Sequence, residues 1–493
     1  MGPTSSFARF RPILTTVLLI IVLLAMWIAI EVYFALTAAP NPVIDYGEQL
    51  EQLVNESQDG REGEDAWSAL MEAVELIPTA ESLAYDTDAV YHEREILIQY
   101  DVLSHYENYR SEIEEHSFSI EEELGDLKLQ RDLSYEALSR FDEVGITSRL
   151  DEVAASGVGV MPLPDSRDSM LIDLLIPNLG PQRNLARALR AKMTLAAEEG
   201  DWQTYTDSFE HIMAIGRLTG EQSFLIQRLV GIAIRSLGAG ALRDDLVAGR
   251  VAQQALPGLA EAFDRQSQVA PMEFALRSEM IWTLDAIQWL HSKRGRLILS
   301  DSRRLEWGSG SSPKIINVAS IAFPRKAESE EWFRGFFEAC IESSRLTPAE
   351  RRQQPIDSKW FVFNWNMRLQ EMLTPAISRA ISADDKWRIN EAGLRTILAI
   401  ELFRSDTGSL PDSLDSLVPE YLDEVPIDVY AEGGLPLRYI VLEQPSEQGQ
   451  DYLLYTVAID GVDNDGAVAE EPYDALVSGD KNADYVFNHV SDD

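Results

Sequence analysis

From Pro12 to Ile30 the chain reads PILTTVLLIIVLLAMWIAI, with no charged residue. A helix of that length rises about 28 Å, close to the roughly 30 Å of hydrocarbon that a spanning segment must cross. A cleaved leader is the other use of an apolar N-terminus. Its apolar core runs about 7–15 residues, shorter than this stretch, and Thr37-Ala38-Ala39 would leave Pro40 just behind the cut. The segment therefore predicts an uncleaved transmembrane anchor over 12–37. Arg9 and Arg11 precede it, whereas Asp45, Glu48 and Glu51 follow it before the next cation, Arg61. The positive-inside bias then leaves residues 1–11 cytoplasmic and everything after the anchor outside the cytoplasm. Glu31, at the outer end, can reach the interface with its carboxylate.

A length of 493 residues exceeds what one hydrophobic core usually organises, so more than one domain is expected. The formal charge of −40 is spread along the chain and opposes any phosphate-binding surface, so no nucleic-acid partner is expected. Cys340 is the single cysteine, which excludes an intrachain disulfide, a cysteine-cluster metal site and a CxxC redox pair.

Residues 46–383 read as a helical extracytoplasmic domain. In EDAWSALMEAVELI, Trp67, Leu70, Met71, Val74 and Ile77 recur at helical spacing along one face. SGVGVMPLPDSRDS, rich in Gly, Pro and Ser, reads as a surface connector. Farther on, Leu185, Leu189, Met193 and Leu195 mark one amphipathic helix, and Phe209, Ile212, Met213 and Ile215 mark a second. Gly200-Asp201 stops the first and caps the next, which predicts an antiparallel hairpin in a solenoid-like bundle. The AEEGDW junction is similar to tetratricopeptide hairpins, but Tyr205 and Thr206 stand where that family places a small alanine, and no fixed period recurs. Trp282, Trp289, Trp307, Trp332, Phe333, Phe336, Phe337, Trp360, Phe361, Phe363 and Trp365 concentrate aromatic area at helical spacing, as core residues do.

Signatures of catalysis are sparse. The six histidines (His92, His105, His116, His211, His291, His489) include no pair four residues apart, so the zinc-protease pattern is missing; the His-Glu step in YHERE has no second histidine after it. GSGSS at 308–312 lacks the lysine of a phosphate loop, and no GxSxG elbow occurs. Carboxylates are so numerous that choosing two as acid and base would be arbitrary.

The last fifth, 384–493, changes character. A helix over Asp384–Phe403, apolar nearly all round at Ile389, Leu394, Ile397, Leu398, Ile400 and Leu402, is expected to be buried against both the helical domain and a sheet. Gly408 ends it. A short helix between Pro411 and Pro419 follows, and PLRYIVL and DYLLYTVAI read as antiparallel strands. The order Gly408, Pro411, Leu414, Leu417, Pro419, Val425-Pro426, Asp428, Pro436-Leu437, Tyr439, Tyr455 and Asp460-Gly461 resembles the C-terminal domain of type II secretion major pseudopilins and of bacterial envelope proteins carrying the same module.

That resemblance implies a small α+β module with an antiparallel sheet and a calcium site in the acidic loop. Here the loop carboxylates are Asp460, Asp463 and Asp465, joined by Asp480 and Asp484 near the final strand. Hard oxygen ligands from two loops suit Ca²⁺. An EF-hand is not the pattern: with Gly466 as the invariant glycine, Gly461 holds the first ligand position and Pro472 the last. Pseudopilins also carry a prepilin cleavage site followed by a Glu, and FARFRPILTTVLL has neither, so pilin processing is not expected. The fold class expected is mainly α: an N-terminal transmembrane helix, a solenoid-like helical bundle and the pseudopilin-like module. The expected role is a membrane-anchored binding or structural protein of the bacterial inner membrane, with its bulk in the periplasm, touching envelope proteins and stabilised by calcium. The alternative is a periplasmic hydrolase with dispersed catalytic carboxylates.

Overall fold

The computed structural model describes residues 23, 26–34, 37–78, 100, 102–103, 108–111, 113, 120–173, 179–298, 324–356, 377–446, 449–469, 473–477 and 483–489. Most of the apolar run 12–30, the YHERE stretch, GSGSS, Trp307, Trp360, Phe361, Phe363, Trp365 and Asp480 lie outside them. Within the described residues the chain is mainly helical, with one small antiparallel sheet near the C-terminus.

The principal helices are α1 (Tyr46–Ser57), α2 (Trp67–Glu75), α3 (Ile120–Ser139), α4 (Ile146–Ala155), α5 (Leu179–Glu199), α6 (Trp202–Gly220), α7 (Leu225–Val247), α8 (Leu256–Ser267), α9 (Met272–Leu290), α10 (Lys326–Ser344) and α11 (Ile377–Thr407). The α5–α6 hairpin forms where periodicity places it. Gly200 takes φ +72° between the helices, and the Asp201 carboxylate accepts from Thr204 N at 3.2 Å, occupying a donor that the first turn leaves unpaired. Leu185, Leu189, Met193, Phe209, Ile212, Met213 and Ile215 are all buried, while Leu195 packs at the edge of the same core.

Helices α6 and α7 approach backbone to backbone. A Cβ on Gly231 would lie 2.4 Å from Gly216 O, so only glycine fits this crossing. Among the described residues α7 is the one helix long and apolar enough to cross a membrane, yet half of that stretch is buried against α5, α6 and α11. It is a core helix of the bundle.

The Gly/Pro-rich segment after α4 is bound more tightly than a surface connector. Ser156 Oγ donates to Glu64 O (2.6 Å), Gly159 N to Gln58 Oε1 (2.9 Å), Met161 N to Gln222 Oε1 (2.9 Å) and Leu163 N to Glu51 Oε1 (2.7 Å). Buried glutamines thus satisfy a backbone that has no ladder of its own, and the segment straps α1 to the end of α6.

Helix α11 starts seven residues earlier than the apolar pattern indicates, so position 384 falls inside it. One side of α11 packs on α7 and α8, and another meets the sheet. Ile389, Leu394, Ile397, Leu398 and Ile400 are buried as their all-round pattern requires. Gly408 closes the helix at φ +75°, donating its N–H to Arg404 O at 2.8 Å. The short helix expected between Pro411 and Pro419 is a single 3₁₀ turn, Leu414–Leu417. Strands β1 (Arg438–Val441), β2 (Tyr452–Thr456) and β3 (Tyr485–Val486) pair in that order, with Tyr439 opposite Leu454 and Tyr455 opposite Val486. The sheet docks closely on α11: a Cβ on Gly393 would fall 2.2 Å from the Phe487 ring. The hydroxyl of Tyr485 accepts from Arg243 of α7 (2.8 Å) and donates to Asn390 of α11 (3.0 Å), tying helices and sheet into one core.

The aromatic concentration is core where it is described. Phe333, Phe336 and Phe337 are buried, Trp332 stacks on Phe336 at 5.3 Å, and Trp282 meets Phe224 edge-on at 4.8 Å.

Candidate functional site

The acidic loop follows β2 and is closed by a buried aspartate. Both backbone amides that shape it, Asn464 N (3.0 Å) and Gly466 N (2.8 Å), donate to Asp484 Oδ2. Burial raises the Asp484 carboxyl, and those two amides partly offset it. Asp463 faces cationic and hydroxyl partners: Arg438 Nε at 2.9 Å on one oxygen, Tyr455 OH at 3.1 Å on the other. Asp460 accepts from Val462 N at 2.9 Å, and Asp465 holds φ +57° at the tip. Of the five carboxylates singled out from sequence, Asp460, Asp463, Asp465 and Asp484 share this one loop system, and Asp480 lies outside the described residues. Among the described residues no group of three or more His, Cys, Asp or Glu side chains converges as a metal site. Two oxygens nevertheless stand buried without a donor among the described residues, Asp460 Oδ2 and Asp484 Oδ1.

A second site lies where α7 crosses α11. Arg228 and Arg235 are seven residues apart, two turns along one face of α7, and Asp384 and Glu391 repeat that spacing on α11. Arg228 donates to Asp384 Oδ1 through Nε (3.1 Å) and Nη2 (2.6 Å), and Arg235 Nη2 reaches Glu391 Oε1 at 2.9 Å. The equal offset of the two pairs means that the helices run parallel here. Between the pairs, the Trp387 ring lies under the Arg235 guanidinium, 4.2 Å from it. Burial pulls Arg235 down to about 10, which still leaves it charged at neutral pH.

These residues form one wall of a cleft of about 380 Å³, completed by Pro271 and Glu273 before and within α9 and by Arg345 and Arg388 at the rim. Arg345 is spent on Glu273, with both contacts at 2.7 Å. Arg388 is exposed and has no ion pair among the described residues. Within the wall, Arg235 Nε and Trp387 Nε1 are buried donors with no acceptor among the described residues. Chemically, the cleft is built to receive oxygen acceptors, above all an anionic group.

Buried carboxylates elsewhere have structural partners. Burial pushes Glu279 up to about 7 and Asp285 up to about 6. Glu279 accepts from Leu225 N (3.3 Å) at the start of α7, and Asp285 accepts from Leu171 N (2.8 Å). His211 pairs with Asp151 at 2.9 Å. Neither raised carboxylate lines the arginine cleft.

Sequence reasoning passed over Arg228, Arg235, Asp384, Trp387 and Glu391. The signal was present in QRLVGIAIRSL: arginines two turns apart in an otherwise apolar helix require buried partners. What the pattern could not supply was the identity of the opposing helix, which follows more than 130 residues later. No family model, curated protein or solved structure matches the chain.

Proposed function

We propose that the chain is a single-pass, membrane-anchored binding protein of the bacterial envelope. Its N-terminal helix is the anchor, and the helical bundle with the pseudopilin-like C-terminal module stands outside the cytoplasm. One observation carries the anchoring: the helix over 26–34 presents Met26, Trp27, Ile28, Ile30 and Tyr33 to the surroundings, each about half exposed or more. An apolar helix uncovered on this scale is costly in water and at home in lipid. The acidic body suits an aqueous compartment, and the arginine cleft supplies the binding element for an anionic group on an envelope partner. The hydrolase alternative has less support: Glu279 and Asp285, raised by burial, are held on backbone amides away from the cleft, and the raised Asp385 is paired with Arg351. Protease added to intact spheroplasts should remove a C-terminal epitope; survival of that epitope until lysis would overturn the topology. For the cleft, citrate at matched ionic strength should raise the melting midpoint of the full chain in detergent, and Arg388→Ala should remove the rise. An equal rise in that variant would place anion binding elsewhere.

Calcium in the acidic loop is the second reading, supported by the donor-less oxygens of Asp460 and Asp484. Asp460 and Asp484 would hold the ion with Asp465 and Asp480, while Asp463 is already engaged by Arg438. Extracellular-type sites bind at about 10⁻⁴–10⁻³ M, and ion at ten times its dissociation constant would stabilise the fold by about 1.4 kcal/mol. The full chain should therefore melt higher in Ca²⁺ than in chelator, and Asp460→Ala should cancel the difference. Equal melting in both buffers rejects the site.

A further inference from the structure

In a chain of net charge −40, one recess of about 620 Å³ gathers Lys293, Arg294, Arg296 and Arg325 around a single carboxylate, Glu31. Its floor is the end of the apolar helix, Glu31 and Phe34, with the exit segment from Thr37 to Asn41. Its opposite wall is the tight turn after α9. That turn is held firmly: Ser292 N donates to Arg296 O (2.8 Å), Gly295 N to Ser292 O (2.7 Å), and Lys326 N to Gly295 O (3.0 Å). Pro40 bridges to Ser292, so the exit segment and the turn form one unit.

The charges inside the recess do not balance. Arg296 reaches Glu31 at 3.3 Å, and the Arg294 guanidinium lies over the Phe34 ring at 3.2 Å. Lys293, Arg294 and Arg325 have no ion pair among the described residues, and all three are exposed. The position of the cluster along the helix is as informative as its charge. The uncharged run ends at Ile30, and Glu31 and Phe34, which the arginines contact, lie within the next ~6 Å of rise, inside the roughly 5–7 Å of polar headgroups on one side of a bilayer. The free cations therefore stand at the depth where lipid phosphates lie.

We propose that this recess binds the phosphate headgroup of an anionic membrane lipid, with Lys293, Arg294 and Arg325 as phosphate ligands and Phe34 packing against the glycerol and upper acyl region. The Arg296–Glu31 pair is the positioning element that fixes the turn to the anchor helix. Basic residues near a membrane surface attract acidic lipids additively, which gives the site its selectivity for anionic over zwitterionic headgroups. The inference rests on the anchoring proposed above, and its test separates the two.

The full chain is first floated with vesicles of neutral phosphatidylcholine, then reconstituted in discs of phosphatidylcholine with and without phosphatidylglycerol, and the lipid retained by the protein is weighed by native mass spectrometry. Expected is flotation with neutral vesicles, followed by preferential retention of phosphatidylglycerol. The triple variant Lys293→Gln, Arg294→Gln, Arg325→Gln should lose that preference by on the order of a hundredfold while still floating. Lys293→Glu with Arg325→Glu, which leaves the Arg294–Phe34 contact intact, should lose it as well. Inorganic phosphate should neither give an adduct in neutral discs nor displace phosphatidylglycerol from the mixed discs. Failure to float with any vesicle overturns both anchoring and headgroup binding. Flotation with equal lipid retention in wild type and variants overturns the headgroup site alone, and displacement by free phosphate reassigns the recess to a soluble anion.

Discussion

The helical bundle and the C-terminal module bury carboxylates by different means. Where α11 packs into the bundle against α7, Asp384 and Glu391 sit within a continuous helix whose amide hydrogens are already used by the i→i−4 ladder, and their partners are the arginines of that neighbouring helix. In the module, Asp428 takes Tyr430 N (2.9 Å), Val457 N (2.9 Å) and the Thr456 hydroxyl (2.7 Å), and Asp484 takes two loop amides. Irregular backbone has N–H groups to spare, so a loop carboxylate needs no cation. A helix interior has none to spare. The loop arrangement adds no second buried charge, whereas each ion pair in the bundle carries the desolvation of two.

The largest effect expected from this difference is at the α7–α11 crossing. Arg228→Met should destabilise the chain by about 3–5 kcal/mol in denaturant melts, since it strands Asp384 as an unpaired buried charge. Adding Asp384→Leu should restore most of the loss, because both desolvation costs then disappear. A double variant no more stable than the single one would show that packing, not charge, sets the cost. Asp428→Ala should cost less, about 2–4 kcal/mol, through three donors left unsatisfied, with faster hydrogen exchange concentrated in β2. If Asp428→Ala costs as much as Arg228→Met, the contrast between the two regions fails.

The smallest effect sharpens the contrast at a helix start, where amides are free as they are in loops. Burial raises Glu279 to about 7 against the single amide of Leu225, so the folded chain holds this proton more tightly than the unfolded chain does. Stability from this group is present in full below about pH 4.5 and is lost as pH rises toward 7. Glu279→Gln should flatten that decline, leaving the variant about 1–3 kcal/mol more stable than wild type near pH 7. A midpoint-versus-pH series on the two proteins, with the same slope in both, would reject it.

Periodicity made the α5–α6 hairpin legible down to its Gly200-Asp201 junction, because a stop, a cap and two apolar faces are all local events. The antiparallel β1–β2 pair was legible for the same reason. The strap after α4 was not. Its backbone is satisfied by Gln58 and Gln222, side chains just past the C-terminal ends of α1 and α6, which carry no marker in their own neighbourhoods. The acidic loop was visible as a loop, yet which of its oxygens are occupied depended on Arg438, Tyr455 and the position of Asp484.

By itself the sequence determined that Pro12–Ile30 is long and apolar enough to span a bilayer, that the chain is predominantly helical, and that a small sheet follows the last long helix. These are consequences of hydropathy and period, which are properties of neighbouring residues. Only the tertiary structure decided that Arg228 and Arg235 meet Asp384 and Glu391, and that Gly231 lets two backbones touch. It alone placed Lys293, Arg294 and Arg325 beside Glu31 and Phe34, at the C-terminal end of the apolar helix. Each of these joins segments separated by many turns of chain, and such meetings are set by how whole helices pack, not by any local preference.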